Sequence, residues 1–304
     1  MWYIMDSVQR NYQLSERLVR AISDWATLAP SSDSVEQLIH EGADVNKPHG
    51  TLLPLHCACM VSDSYVVELL LQHGAQVNSI DGYGRAALHY AVERDITCTE
   101  ILLDHNAHPD IPDNNQDTPL HWAAFKNQVQ CLEALLQRGA RVNAVDYNND
   151  TPLSWAAMKG NYEALAILLE YNADVDTVNF SGRTPILRCA AMQASGLDTH
   201  VYDQCLDLLL KASGKIDLRD PQGNLPRIVE GDNKLRELML EYCEKPRPLQ
   251  ELCRYAVRKS LGTGYIPNVI PKLPLPSRLQ DYLLLGRQYL RNQSDTDISN
   301  INVV

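Results

Sequence analysis

The sequence has eight cysteines in 304 residues but no Cys-x-x-Cys pair. Scattered at Cys57, Cys59, Cys98, Cys131, Cys189, Cys205, Cys243 and Cys253, they lack the spacing of a zinc site or of a disulfide framework. They read as reduced thiols of a protein working in the cytoplasm or nucleus. No stretch approaches the roughly 18 apolar residues that span a bilayer. The opening MWYIMDSVQRNYQLSERLVRA has charges at Asp6 and Arg10 and no uninterrupted apolar run, so no signal peptide is expected. Cations are in deficit, with 27 Lys and Arg against 38 Asp and Glu and a net charge of −11. That balance argues against a nucleic-acid binder, which needs a cationic surface to displace counterions. A Gly-x-Ser-x-Gly motif, a phosphate-cradling Walker loop and RING-type ligand spacing are also missing. The expectation is a chain with no catalytic residues, no metal and no cofactor of its own.

What is present is a repeat. Gly42–Asn46 (GADVN) recurs as GAQVN at Gly74, NAHPD at Asn106, GARVN at Gly139, NADVD at Asn172 and a worn SGKID at Ser213, in steps of 32, 32, 33, 33 and 41. A second marker runs in phase, 11 or 12 residues on: Leu53–His56, Ala86–His89, Thr118–His121, Thr151–Ser154, Thr184–Leu187 and Leu225–Ile228. In the unit Asp117–Asp146, Thr118 is placed as a helix N-cap and Pro119 as the first helical residue, where no amide is missed. Ala123 and Ala124 are small enough for close helix approach. Cys131, Leu132, Leu135 and Leu136 make the inward face of a second helix, and Gly139 ends it in a left-handed conformation. Residues 143–149 read as a turn. A unit this small cannot bury its own apolar face, so stacking is obligatory. His56, His89 and His121 share one repeat position and read as structural residues, each ring N–H reaching a neighbouring backbone carbonyl.

These markers resemble the ankyrin repeat, TPLHxAA followed by LLxxGAxVN. The resemblance implies an all-α fold, a solenoid of helix pairs with hairpin-like tips, over residues 34–245. Five full repeats are expected after a half-repeat helix at Ser34–His40, with a degenerate last repeat at Asp220–Cys243. The segment 1–33, with Leu14, Leu18, Ile22 and Trp25 at helical spacing, is expected to cap the first repeat. The 41-residue step predicts a lengthened loop, Ala190–Gln204, between the helices of the fifth repeat.

After Cys243 the pattern changes. Pro246 and Pro248 break from the solenoid. Leu249, Leu252, Cys253, Ala256, Ser260 and Leu261 then form the stripe of an amphipathic helix. Its polar face is basic, with Lys245, Arg247, Arg254, Arg258 and Lys259 against the single anion Glu251. Such a helix alone fits a membrane surface, a partner groove or simple packing on the last repeat. Tyr265–Pro267 reads as extended, and Leu273-Pro274-Leu275-Pro276 as a polyproline-type segment. Ser277 with Gln280 reads as a capping box that restarts a helix with Leu279, Tyr282 and Leu283 on its apolar face.

These two elements resemble the SOCS box, placed at 246–286. Its first half is a helix with Leu-x-x-x-Cys-x-x-x-aliphatic, matched by Leu249, Cys253 and Val257. Its second half carries Leu-Pro-aliphatic-Pro, matched by Leu273–Pro276. The whole is similar to the ankyrin repeat and SOCS box family. The resemblance implies docking of elongin C, held by elongin B, on Leu249, Leu252, Cys253, Ala256 and Val257. It implies cullin-5 with its RING subunit on Leu273, Pro274, Leu275, Pro276, Leu279 and Tyr282. The function implied is substrate receptor of a ubiquitin ligase. The other reading is an ankyrin scaffold or inhibitor whose C-terminal helices only cap the solenoid. Exposure of Leu249 separates them, since a capping helix hides it and a docking helix presents it. The polar segment 287–304 is expected to be disordered.

A target is expected on the concave face and tips. The candidates are Tyr83, Arg85, Tyr90, Trp122, Phe125, Lys126, Tyr147, Trp155, Met158, Lys159 and Arg183, because aromatic and cationic side chains anchor interfaces. Trp122 and Trp155 read equally as internal filler. Asn78 and Asn143 resemble sites of an oxygen-sensing asparaginyl hydroxylase, their other reading being plain turn residues.

Overall fold

The computed structural model describes residues 2–23, 34–196, 199–214, 227–231, 233–244 and 248–284. Trp25, residues 215–226, Pro246 and the tail 287–304 lie outside them. The described residues are all-α, with no strand and two isolated β-bridges, His49 with Leu52 and Ile80 with Ala86. They fall into two compact units, Met1–Arg141 and Val142–Val304.

In the first unit α1 (Trp2–Ser23) packs on α2 (Val35–His40) and α3 (Pro54–Val61), burying Leu14, Leu18 and Ile22. Three helix pairs follow in stacked order. The inner helices α3, α5 (Ala87–Ala91) and α7 (Pro119–Lys126) pack in sequence, as do the outer helices α4 (Ser64–Gln72), α6 (Ile96–Asp104) and α8 (Val129–Gln137). The inner faces are alanine-rich: Ala58, Ala91, Ala123 and Ala124 have no exposed surface, so the helices approach closely. Outer helices contribute Leu70, Leu102, Leu132 and Leu135, fully buried.

The recurring marker has a backbone cause. Gly42, Gly74 and Gly139 follow helix ends with φ of +96°, +84° and +88°. Where the marker starts with asparagine, Asn106 and Asn172 hold φ of +62° and +60°. Asparagine is the residue that tolerates this region best after glycine, which is why it can replace glycine in these two markers.

The histidines behave as the sequence suggests. The amides of Leu53, Ala86 and Thr118 donate to Nδ1 of His56, His89 and His121, each at 3.1 Å. With Nδ1 accepting, Nε2 carries the proton; in His56 it points to Ser79 O, past the marker that closes its repeat, and in His89 to Asp117 O of the next repeat, both 3.1 Å away. Burial lowers the pKa of both rings, keeping them neutral in this role.

In the second unit α9 (Pro152–Lys159) and α10 (Tyr162–Glu170) form one pair, and α11 (Pro185–Ala194) and α12 (Thr199–Ala212) the next. The extra residues at 190–204 do not form a long loop. They lengthen the helices, to 10 residues in α11 and 14 in α12, against 8 and 9 in the preceding pair. The inserted sequence continues the helical apolar spacing, and Tyr202 and Cys205 are buried. Helices α13 (Arg227–Gly231) and α14 (Asn233–Glu244) form the worn repeat, with α14 on α11. The box follows as α15 (Leu249–Ser260), α16 (Ile266–Val269), a 3-10 turn at Ile270–Lys272 and α17 (Ser277–Leu283).

Two local expectations for the box are corrected. Ile266 and Pro267 are helical, not extended: Tyr265 is the N-cap and Pro267 sits in the first turn, where its missing amide costs nothing. The N-cap of α17 is Pro276, not Ser277, and no side chain caps it. Gln280 instead turns back, its amide donating to Leu273 O at 3.2 Å and Leu275 O at 3.1 Å. The proline segment keeps polyproline dihedrals at Leu273 (φ −74°, ψ 141°) and Pro276 (φ −55°, ψ 144°). Between them Leu275 N donates to Leu273 O, closing a tight turn around Pro274.

Candidate adaptor groove and target surface

The first helix of the box presents Leu249, as expected of a docking helix, while its arginines, expected on a polar face, turn inward. The apolar stripe faces out and the arginines face in. Leu249 is 75% exposed, and Leu252, Cys253 and Ala256 are exposed beside it. Arg254 and Arg258 are buried. Arg258 donates from Nη1 to Leu283 O at 2.8 Å and from Nη2 to Leu169 O; Arg254 donates from Nη2 to Lys211 O at 2.7 Å and lies 4.5 Å over the Tyr282 ring. Burial, then the neighbouring Arg254 charge, draws the Arg258 pKa down to about 10, leaving it ionised at neutral pH.

Holding the arginines inward leaves a groove of about 480 Å³ between α15 and α17. Leu249, Cys253 and Val257 line one side, and Leu275, Leu279 and Tyr282 the other, with Arg254 and Leu283 at the base. Residues expected to serve two different partners therefore share one surface. Val257 also packs with Leu273 and Leu275 on a small core of Ile266, Ile270 and Leu283, so it stiffens the groove as well as lining it. Leu252 and Ala256 lie exposed on the same helix, and Pro274 and Pro276 are exposed on the turn.

The target candidates separate into held and open side chains. In the first unit Arg85 lies 4.2 Å over the Trp122 ring and 5.8 Å from Tyr90, with Nε 3.5 Å from Asp113. Tyr90 donates to Asp81 Oδ2 at 2.5 Å, and Phe125 meets the Trp122 edge at 6.1 Å between centroids. Lys126 pairs with Glu93 at 3.3 Å. Tyr83 is 65% exposed. In the second unit Trp155 Nε1 donates to Asp146 Oδ2 at 3.0 Å, and Met158 Sδ accepts from Arg188 at 3.0 Å. Arg183 is half-buried and Lys159 exposed. Tyr147 is 75% exposed and Phe180, on the adjacent tip, 81%.

Sequence reasoning missed what shapes those tips. Asp81, Asp113, Asp146 and Asn179 recur in phase, and each side-chain Oδ1 accepts the amides two and four residues on, at 2.8–3.0 Å. The spacing was visible as DGYGR, DNNQD, DYNND and NFSGR ahead of each inner helix. Asn78 and Asn143 are likewise engaged: their Oδ1 atoms accept from His108 N at 2.8 Å and Asp174 N at 2.9 Å.

Comparison with known proteins agrees with this architecture. The family model for ankyrin repeats (3 copies) matches residues 24–113, 94–146, 106–179 and 143–220, and that for the SOCS box matches 245–284. Ankyrin repeat and SOCS box protein 8 of Mus musculus is 65% identical over 285 residues, 94% of this chain and 98% of the relative. The Homo sapiens protein of that name is 64% identical over the same shares. Ankyrin repeat and SOCS box protein 16 of Mus musculus is 36% identical over 28% of this chain and 19% of its own length. With repeats, box and relatives in agreement, this chain belongs to the ankyrin repeat and SOCS box family.

Proposed function

We propose that this chain is the substrate-recognition subunit of an elongin B/C–cullin-5–RING ubiquitin ligase, acting in the cytoplasm or nucleus. One observation carries the reading: Leu249 stands 75% exposed at the edge of an apolar groove while charged neighbours on the same helix are buried. Leaving a leucine in water and burying an arginine is the reverse of the usual partition. It makes sense for a helix whose apolar face is meant for a partner's groove. A helix serving only as a cap would have hidden Leu249.

The chain supplies placement and its partners supply the chemistry. Repeats hold a protein target, the box holds elongin C and cullin-5, and holding both raises the effective concentration of target lysines at the loaded RING complex. Ubiquitylation of the target, with proteasomal degradation, is the outcome expected. The exposed aromatics Tyr83, Tyr147 and Phe180 are the side chains freest to anchor a target. The test is reconstitution: the chain with elongin B/C should bind cullin-5 and its RING subunit and support transfer of ubiquitin. Failure of cullin-5 to join the complex, with cullin-2 joining instead, would correct the cullin assignment and keep the receptor role.

A further inference from the structure

Within the second unit, the box is fastened to the fourth and fifth ankyrin repeats by cationic donors set at helix ends. Leu169 lies in the last turn of α10, Lys211 in the last turn of α12 and Leu283 at the end of α17. Their carbonyls accept from Arg258, Arg254 and Arg258 respectively. Helix C-termini carry partial negative charge, so two guanidiniums close three such ends at once. Arg258 is suited to this because its planar fork reaches two carbonyls in fixed directions.

The end of the fourth repeat answers with a donor, an acceptor and a ring of its own. Asn172 Nδ2 lies 2.9 Å from Arg258 O and 2.6 Å from Gly262 O, at the end of α15. Asp176 accepts from Tyr255 and lies 3.5 Å from Lys259 Nζ. The rings of Tyr171 and Tyr265 sit 4.8 Å apart. A Cβ on Gly214 would lie 2.6 Å from the Tyr255 ring, so only glycine lets that ring seat. This accounts for the worn sixth marker, in which Ser213-Gly214 replaces Gly-Ala: the box docks there, and the next marker position must be bare.

The geometry points to Arg254, Arg258 and Asn172 as positioning residues that lock the groove at one attitude to the fourth and fifth repeats, fixing the direction in which the docked transfer machinery faces. This deepens the receptor reading and rests on it. Arg254 is the link between the two surfaces, since it lines the groove and bonds the repeat.

Arg258→Lys keeps the charge but cannot serve both carbonyls. Asn172→Gly keeps the left-handed backbone and removes the amide. Asn172 neither lines the groove nor bonds a residue that does, so elongin B/C affinity of Asn172→Gly should stay within about twofold of the unmodified chain. Arg258 also holds Leu283 of the groove, so both variants are compared at saturating elongin B/C. The readout is the map of self-ubiquitylated lysines in the reconstituted ligase, obtained by mass spectrometry of the modified peptides. The unmodified chain should be labelled at a restricted set of lysines, and both variants should spread label over more lysines with slower transfer to the original ones. Identical maps and rates in both variants would overturn the lock. Should the unmodified chain fail to bind elongin B/C, the receptor reading falls, and hydrogen exchange in the free chain tests the lock alone. The α15 amides should then exchange faster in both variants, and equal protection would overturn it.

Discussion

Arg258 and Leu169, 89 residues apart in sequence, are joined by a hydrogen bond from a buried guanidinium to a helix-end carbonyl. The same guanidinium holds Leu283, so one side chain ties α10, α15 and α17 together. Replacing it with an apolar residue of similar length tests how much that bond carries. Arg258→Met should cost about 2–3 kcal/mol in urea unfolding, the scale of charge-assisted hydrogen bonds lost from buried carbonyls. A loss below about 0.5 kcal/mol would place it with ordinary surface substitutions.

Leu279 was expected to face the cullin, yet it lines the same groove as Leu249 and Cys253. Leu279→Ala should therefore weaken elongin B/C binding, about tenfold or more for a side chain covered in the complex. Unchanged elongin affinity with impaired cullin binding would restore the division into two separate sites.

Acid should loosen the first unit. His56 and His89 have folded pKa values below the unfolded 6.5, with burial the largest cause. Between the two values the unfolded chain binds more protons, so stability rises with pH there. Their contribution is full above pH 6.5 and is lost as pH falls through the lowered folded values. Urea midpoints at about pH 7.5 and about pH 5 should show the decline, with a shallower slope in His89→Gln. An identical slope in that variant would assign the acid sensitivity elsewhere.

The tips divide into scaffold and surface. Asp146→Ala removes the acceptor of two tip amides and of Trp155, and should cost about 2–4 kcal/mol. Tyr147→Ala and Phe180→Ala, both largely exposed, should change stability by less than about 0.5 kcal/mol. Thermal melts of the three proteins side by side make the comparison. A large loss from Phe180→Ala would mean its ring packs within the fold.

Much of this was legible from local rules. Thr118-Pro119 begins a helix and Gly139 ends one because capping and φ are decided within a few residues, and the two markers repeat that logic along the chain. What escaped was set by distant partners. An arginine at helical spacing reads as a solvated face, and nothing near Arg258 announces that Leu169 will cover it. The insertion at 190–204 read as a loop because its step length was odd, whereas its residues extend two helices. Gln280 fitted a capping box by spacing, but two carbonyls on the proline turn compete for its amide. The groove joins residues from both halves of the box because Val257, Leu273 and Leu275 share one small core, a contact that spacing does not display.

The most direct measurement is titration of elongin B/C into the unmodified chain and into Leu249→Ala. Leu249 is 75% exposed in the free protein, so the variant should unfold at the same urea concentration. Removal of a leucine pocketed in a complex costs ~2–5 kcal/mol, or ~thirtyfold to several-thousandfold in affinity. The account predicts tight binding by the unmodified chain and a loss of that size with stability untouched. No binding by the unmodified chain, or equal affinity for the two, would contradict it.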